Sequence, residues 1–375
     1  MKLKVAHVVR QYYPSVGGME DVVRNIADYQ LHHTGHQPHI FTLNRVFRSP
    51  NEILPAQDVF EGVPVTRLPF TGSERYPFCP QILKAVSDAD VIHVHGVDFF
   101  YDYLAITHPL HHKPLIASTH GGFFHTQFAP TLKQIFFNTV TRTSSCMYEK
   151  VIATSENDGA LFGKIMGSDK LVVIENGVNV EKFADLSAKT SVPTLIYFGR
   201  WSSNKALSET LQLFAKLYAL DPEWRLIIAG REYDETEQSL REVVERLSLS
   251  AVVEVVPNPS DAELAALIGR SSYFVCLSRH EGFGIAPIEA MSAGLYPILN
   301  RIPPFEKLVA HTGLGYLVSN DDERDARAIL DLHHAEAFSQ QRRDLQESVA
   351  SYTWKSVAAQ YVKCYEDIYQ RGQQK

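Results

Sequence analysis

Tyr273-Phe-Val-Cys-Leu-Ser-Arg-His-Glu281-Gly-Phe-Gly-Ile-Ala-Pro-Ile-Glu289 passes from an apolar, β-rich run to a helical one across a glycine-containing loop. Residues 273–278 have the character of a fully buried strand, and 285–293 of a helix. Pro287 suits the first turn, where a missing N–H costs nothing. Gly282 and Gly284 let backbone N–H groups approach a ligand closely. The start of a helix carries unpaired N–H groups and is an anion site, with diphosphate the usual anion. Glu281 and Glu289 beside it can accept hydrogen bonds from hydroxyls. Taken by itself, the segment reads more readily as a turn with one solvated and one capping carboxylate. The rest of the chain decides between these.

Outward from this segment, strand-like and helix-like runs alternate through the whole sequence. Short β-rich runs occupy 5–9, 39–43, 65–68, 91–95, 115–119, 151–154 and 172–174, with helical runs at 19–33, 99–107, 132–148 and 158–166. The second half repeats the pattern: strands at 194–198, 225–229, 252–256, 273–277 and 296–299, and helices at 205–218, 237–247, 261–268, 285–293 and 304–311. This alternation predicts an α/β protein with parallel sheets covered on both faces. At 375 residues the chain suits two such domains. The Asn176-Gly177 turn signal places the boundary there, giving domains 1–177 and 178–355. Trp354, Val357, Tyr361, Cys364 or Tyr365, and Ile368 recur at helical spacing, so 356–375 is expected as an amphipathic helix that must pack on something. Open parallel sheets bind ligands at the carboxyl ends of their strands, so a cleft between two of them is the expected active site.

The other candidate residues fall at such strand ends. Arg200 and Lys205 follow the run 194–198, on the loop entering the next helix. A guanidinium fork and an ammonium point charge suit a diphosphate, and cations alone are poorly placed at a helix start. Gly17-Gly18 lies between the first strand and its helix, without the spacing of a dinucleotide loop. Alone it reads as readily as a plain turn. His120 ends the run 115–119 and precedes Gly121-Gly122, which places it in the site. His93 and His95 alternate in one strand and are read as packing or capping. Asp88-Ala-Asp90 has the form of a metal motif but precedes a strand, so it is read as a turn, and no metal site is assigned.

Composition excludes several classes. The net charge of −7 indicates no general affinity for nucleic acid. The four cysteines have no zinc spacing, and no apolar run is long enough to span a bilayer. No signal peptide is evident, so a cytosolic protein, or one peripheral to a membrane, is expected. Residues 1–177 carry 15 basic against 16 acidic side chains, and 178–375 carry 21 against 27.

The Glu281–Glu289 pair, Arg200 with Lys205, the Gly17-Gly18 loop and His120 occur in the order found in retaining glycosyltransferases of family 4, and over essentially the whole chain the sequence resembles that family. The resemblance implies the GT-B fold: two Rossmann-like domains facing across a cleft, with the C-terminal helix crossing back. Four stretches, His95-Gly-Val-Asp-Phe-Phe-Tyr-Asp-Tyr-Leu104, Ser118-Thr-His-Gly-Gly-Phe-Phe-His-Thr126, Ile228-Ala-Gly-Arg-Glu-Tyr-Asp234 and Ser278-Arg-His-Glu-Gly-Phe-Gly284, are similar to the α-1,3-mannosyltransferases of xanthan and acetan assembly. That similarity implies GDP-mannose as donor, a cellobiosyl-diphosphopolyprenol acceptor and no metal or other cofactor. It also implies residue roles. Glu289 would bind the ribose, and Glu281 the donor hexose, with backbone N–H groups of Phe283 and Gly284 near sugar and phosphate. Arg200 and Lys205 would neutralise the departing diphosphate, Gly17 and Gly18 would pass close to it, and His120 would contact the donor sugar. Ala206 stands where many relatives have Gly, a change expected to matter little because Ala is the better helix former. A lipid-linked acceptor implies a peripheral protein on the cytoplasmic face of the inner membrane. Phe123-Phe124, Phe128, Leu132, 135–137 and Val140, with Lys133, Arg142 and Lys150, are the candidate contact, although the same positions equally fit a core. Two alternatives stay open: another nucleotide sugar such as UDP-glucose or UDP-N-acetylglucosamine, or a sugar-binding protein without turnover.

Overall fold

The computed structural model describes every residue except Val16, Arg48, Arg75, 121–133, Gly282, 336–337 and 374–375. The chain divides into two compact units, Met1–Gly177 with Trp354–Lys375, and Val178–Thr353.

The N-terminal unit is built on an eight-stranded sheet. From one edge its strands are Leu171–Val173, Lys150–Ala153, Leu115–Ser118, Val91–His95, Lys4–Val9, Gln37–Leu43, Val63–Leu68 and Gln57–Phe60. All neighbours are parallel except the last pair, where Gln57–Phe60 returns antiparallel on Val63–Leu68. Numbered by appearance in the parallel set, the order is 3-2-1-4 and onward, that of a doubly wound nucleotide fold. Side chains alternate across the strands. Val5, Val91, Ile116 and Ile152 face the helices Gly18–His33 and Trp354–Gln373, meeting Val22, Ile26, Val357, Tyr361 and Tyr365. Ala6, Ile92, Ala117 and Val151 face the other way, against Phe100, Tyr101 and Leu104 of the helix Phe99–Ile106. The C-terminal helix thus crosses back to cover one face of the sheet on which the chain began.

The C-terminal unit has six parallel strands in the order Val253–Pro257, Arg225–Glu232, Thr194–Trp201, Tyr273–Cys276, Tyr296–Leu299 and Tyr316–Leu317. This is 3-2-1-4-5-6, the Rossmann order. One continuous core includes Phe198, Leu211, Trp224, Ile228, Phe274, Ile288 and Phe305.

Two expectations need correction here. The run 132–148 is not one regular helix: a π-helical segment, Phe137–Thr141, precedes Arg142–Ser145. Within it Phe137 is buried and meets Phe162 edge-on at 5.3 Å, so this residue is core and not a membrane contact. Ile135 and Val140 are exposed. Phe123-Phe124, Phe128, Leu132 and Lys133 lie outside the described residues.

Candidate active site

A doubly wound sheet opens a crevice where strand order reverses, at the carboxyl ends of the first and fourth strands. In the C-terminal unit those strands are Thr194–Trp201 and Tyr273–Cys276, which pair directly. The loops leaving them hold the residues singled out in the sequence. Nζ of Lys205 lies 2.5 Å from Oε1 of Glu281, and both side chains are only 17% exposed. Exclusion of water at that level makes this pair electrostatically stronger than a surface salt bridge. Hydrogen bonds tie the two loops together: Asn204 Nδ2 donates to the His280 carbonyl at 2.7 Å, and the Arg279 N–H donates to the Asn204 carbonyl at 2.9 Å. Asp234, at the end of the neighbouring strand, accepts from the backbone N–H of Ser203 at 2.9 Å and from its hydroxyl at 3.1 Å. Lys205 is therefore held by its turn as well as by Glu281.

Arg200 departs from the expected loop position. It belongs to the strand Thr194–Trp201, is exposed, and stacks over Tyr233 at 4.6 Å from the ring centroid. The Tyr197 hydroxyl donates to the Arg200 carbonyl at 2.8 Å and fixes the strand end. The helix begins at Leu207, not at 205, after a 3₁₀ turn Ser203–Lys205. Ala206 joins turn to helix with φ 54° and ψ 46°, and its side chain is buried. Helix propensity therefore does not govern this position. A left-handed Ala is strained by about 1–2 kcal/mol where Gly would be relaxed.

Glu289 lies in the helix Ile285–Ala293, half-buried. Burial pushes its carboxyl up to about 7, against the pull of Lys182 and with a further push from Asp261. Gly284 begins this helix at φ +89°, an angle that favours glycine, and a Cβ there would press on the Phe305 ring at 3.1 Å. Phe283 packs half-buried, 6.0 Å from Tyr352. Gly282 is outside the described residues. The structure thus brings Lys205 and Glu281 into contact and places Glu289 on the following helix.

In the N-terminal unit Gly17 is the N-terminal cap of the helix Gly18–His33. A Cβ at Gly18 would meet nothing within 4 Å, whereas one at Gly17 would meet the Glu20 carboxylate at 2.7 Å. His120 follows the strand Leu115–Ser118 at φ +50°, an uncommon conformation for a residue with a side chain. Its Nε2 lies 3.1 Å from Nδ1 of His95. Burial lowers its pKa to about 4, so the ring is neutral at neutral pH. Gly121 and Gly122 are outside the described residues. His93 and His95 are buried, as expected of packing residues, but they also hydrogen-bond side chains around them. Asp88 pairs with Nζ of Lys4 at 2.6 Å and Asp90 accepts the Lys4 N–H at 2.8 Å, which makes them a turn before the strand.

Sequence reasoning missed Asp98. It is buried at the switch point of this sheet, caps the helix Phe99–Ile106 by accepting the Phe100 N–H at 2.9 Å, and lies 3.9 Å from Nε of Arg10. Burial raises its carboxyl to about 6 despite Arg10. The signal available was an Asp immediately before a helical run.

Two family models match successive parts of the chain. "Glycosyltransferase Family 4" matches residues 16–182, and "Glycosyl transferases group 1" matches 179–350. A crystal structure of a glycosyltransferase from Rickettsia africae superposes with a TM-score of 0.70, covering 98% of both chains at 18% identity, a likeness of fold. The chain is 49% identical over 368 residues to the GDP-mannose:cellobiosyl-diphosphopolyprenol alpha-mannosyltransferase of Xanthomonas oryzae pv. oryzae, covering 97% of each. It is 42% identical over 373 residues to the enzyme of the same name from Komagataeibacter xylinus, covering 99% of this chain and 94% of that one. With near-complete coverage at such identity, the protein belongs to the family 4 glycosyltransferases, in the group of the GDP-mannose:cellobiosyl-diphosphopolyprenol alpha-mannosyltransferases.

Proposed function

We propose that this chain transfers mannose from GDP-mannose to a cellobiosyl-diphosphopolyprenol lipid, with retention of the α configuration, in assembly of an exopolysaccharide repeat unit. The observation that carries the reading is the Lys205–Glu281 pair at the switch point of the C-terminal sheet, in a chain so close in sequence to these mannosyltransferases. In the resting state the two charges satisfy each other. A bound donor offers each a better partner: diphosphate oxygens for the Lys205 ammonium and sugar hydroxyls for the Glu281 carboxylate. Arg200 completes the cationic side and Glu289 accepts from the ribose, while backbone N–H groups of Phe283 and Gly284 lie toward sugar and phosphate. Gly17, Gly18 and His120 contribute from the N-terminal unit. As the glycosidic bond breaks, charge develops on the β-phosphate, and preorganised Arg200 and Lys205 stabilise it where other enzymes place a metal. Glu281 is engaged by Lys205 and, in this reading, by sugar hydroxyls, which favours attack from the face the phosphate leaves over a covalent intermediate.

The acceptor is anchored in lipid, and among the described residues no helix is long and apolar enough to cross a membrane. We place the enzyme at the cytoplasmic face of the inner membrane as a peripheral protein. A panel of nucleotide sugars, offered to the purified chain with a cellobiosyl-diphospholipid, tests the assignment. GDP-mannose should yield a mannosylated lipid product. Turnover of a UDP-sugar in its place, or binding without release of nucleotide, would overturn it.

A further inference from the structure

Three buried imidazoles, those of His7, His93 and His95, lie under the sheet face that the first and last helices cover, and a fourth, the part-buried His120, follows the end of the adjacent strand. His7, His93 and His95 are on the same side of adjacent strands, where His7 is in register with His93 and His95 with Ser118. Three contacts run in series. Nε2 of His7 is 2.6 Å from Oε1 of Gln30, Nδ1 of His7 is 3.1 Å from Nε2 of His95, and Nδ1 of His95 is 3.1 Å from Nε2 of His120. The His7–His95 and His95–His120 ring centroids are 5.4 and 5.3 Å apart, with interplanar angles of 26° and 28°. Those separations equal two ring radii added to the N···N distance, so the nitrogens lie on the line of centres and the rings meet edge to edge, the geometry of N–H···N bonds. His93 stands beside this series, with Nδ1 2.8 Å from the Tyr365 hydroxyl and Nε2 2.8 Å from that of Ser118.

We propose that Gln30, His7 and His95 form a relay of fixed proton order that sets the tautomer of His120. A neutral imidazole has one N–H and one lone pair. Burial lowers the pKa of every ring in the series, His7 to about 4 and His95 well below its ordinary value, so all are neutral at neutral pH. An amide oxygen only accepts. Nε2 of His7 must therefore carry its proton toward Gln30, and Nδ1 of His7 accepts from Nε2–H of His95. Nδ1 of His95 in turn accepts from Nε2–H of His120. The order ends with Nδ1 of His120 as a bare lone pair. His120 then accepts a hydrogen bond from a sugar hydroxyl and does not donate one. Gln30 acts as a positioning residue through two rings, without touching substrate. This deepens the proposed role of His120 at the donor sugar and rests on it.

Selective ¹⁵N-histidine labelling of the full chain, with His120 assigned by its loss in His120→Gln, reads the tautomer directly. The wild type should show His120 protonated at Nε2 and unprotonated at Nδ1. Gln30→Glu keeps an acceptor and should preserve that pattern. Gln30→Met removes it; a buried N–H without a partner is costlier than a bare lone pair, so His7 should turn its proton toward His95 and the whole order should reverse, placing a proton on Nδ1 of His120. In Gln30→Met we expect kcat to fall about five- to tenfold, the weight of one hydrogen bond, with KM for GDP-mannose little changed. A wild-type proton on Nδ1 of His120, or a His120 pattern unmoved in folded Gln30→Met, would overturn the relay. So would a stoichiometric metal ion: one ring nitrogen from each of His7, His93 and His95 lies within 4.8 Å of the other two, and an ion there would consume the lone pairs the relay needs. Full activity of His120→Gln would instead count against the role of His120 and leave the spectroscopic result standing.

Discussion

A half-buried lysine in contact with a carboxylate is the smallest unit on which the proposed chemistry depends. Removing Lys205 leaves Glu281 without its partner and the leaving diphosphate without a preorganised cation. Lys205→Ala should lower kcat roughly 10²-fold or more, and Lys205→Arg should recover part of the loss, since a planar fork does not reproduce a point charge; steady-state kinetics with GDP-mannose read both. Glu289 makes a different prediction. Its carboxyl is held near 7 in the native state, while the unfolded chain releases that proton in the ordinary carboxyl range. Between those limits the native state binds more protons than the unfolded one, so stability attributable to this group falls as pH rises through the window. Glu289→Gln should flatten that part of the stability profile in denaturant titrations. The ribose reading adds a binding signature, because hydroxyls donate to the ionised form: calorimetry should show GDP-mannose affinity rising with pH through about 7 in the wild type and level in Glu289→Gln.

The junction at Ala206 shows how an element, and not a residue type, sets what a substitution does. Propensity scales describe helix interiors, and Ala206 precedes the helix in a left-handed conformation. Ala206→Gly should stabilise the protein by about 0.5–1 kcal/mol, the strain relieved less the added freedom of the unfolded chain, seen as a higher denaturation midpoint. The same distinction separates what the sequence disclosed from what it concealed. Strand and helix alternation was plain because buried parallel strands are short apolar runs, and the loop from Glu281 to Glu289 was plain because glycines, proline and carboxylates have few reasons to occur at that spacing. The edge strand Gln57–Phe60 was not, since Gln-Asp-Val-Phe, mostly exposed, has no apolar alternation and is made a strand by its partner Val63–Leu68. Nor was the imidazole series. His7, His95 and His120 lie far apart in the chain, and only the register of three adjacent strands aligns them.

At the scale of the molecule, two outcomes bear on how it meets its surroundings. Activity should persist in excess EDTA, because side-chain cations carry the charge of the departing diphosphate; loss on chelation, restored by Mg²⁺ or Mn²⁺, would contradict that. Exposed Ile135 and Val140 with Arg142 make a modest surface for a bilayer, and cosedimentation with anionic liposomes should weaken with added salt and with Arg142→Glu, leaving GDP-mannose binding intact. The helix Trp354–Gln373 has a consequence of another kind. Val357, Tyr361 and Tyr365 cover Val5, Val91, Ile116 and Ile152, on strands that precede them by some two hundred residues or more. Until that helix has been made, its share of the sheet face has no cover beyond the helix Gly18–His33, whereas everything the unit Val178–Thr353 contains has already been made. Domains of most proteins mature in the order of their synthesis. Here the half encoded second can close first, and the half encoded first must wait, with part of one greasy side open to chaperones, for the helix Trp354–Gln373 to emerge.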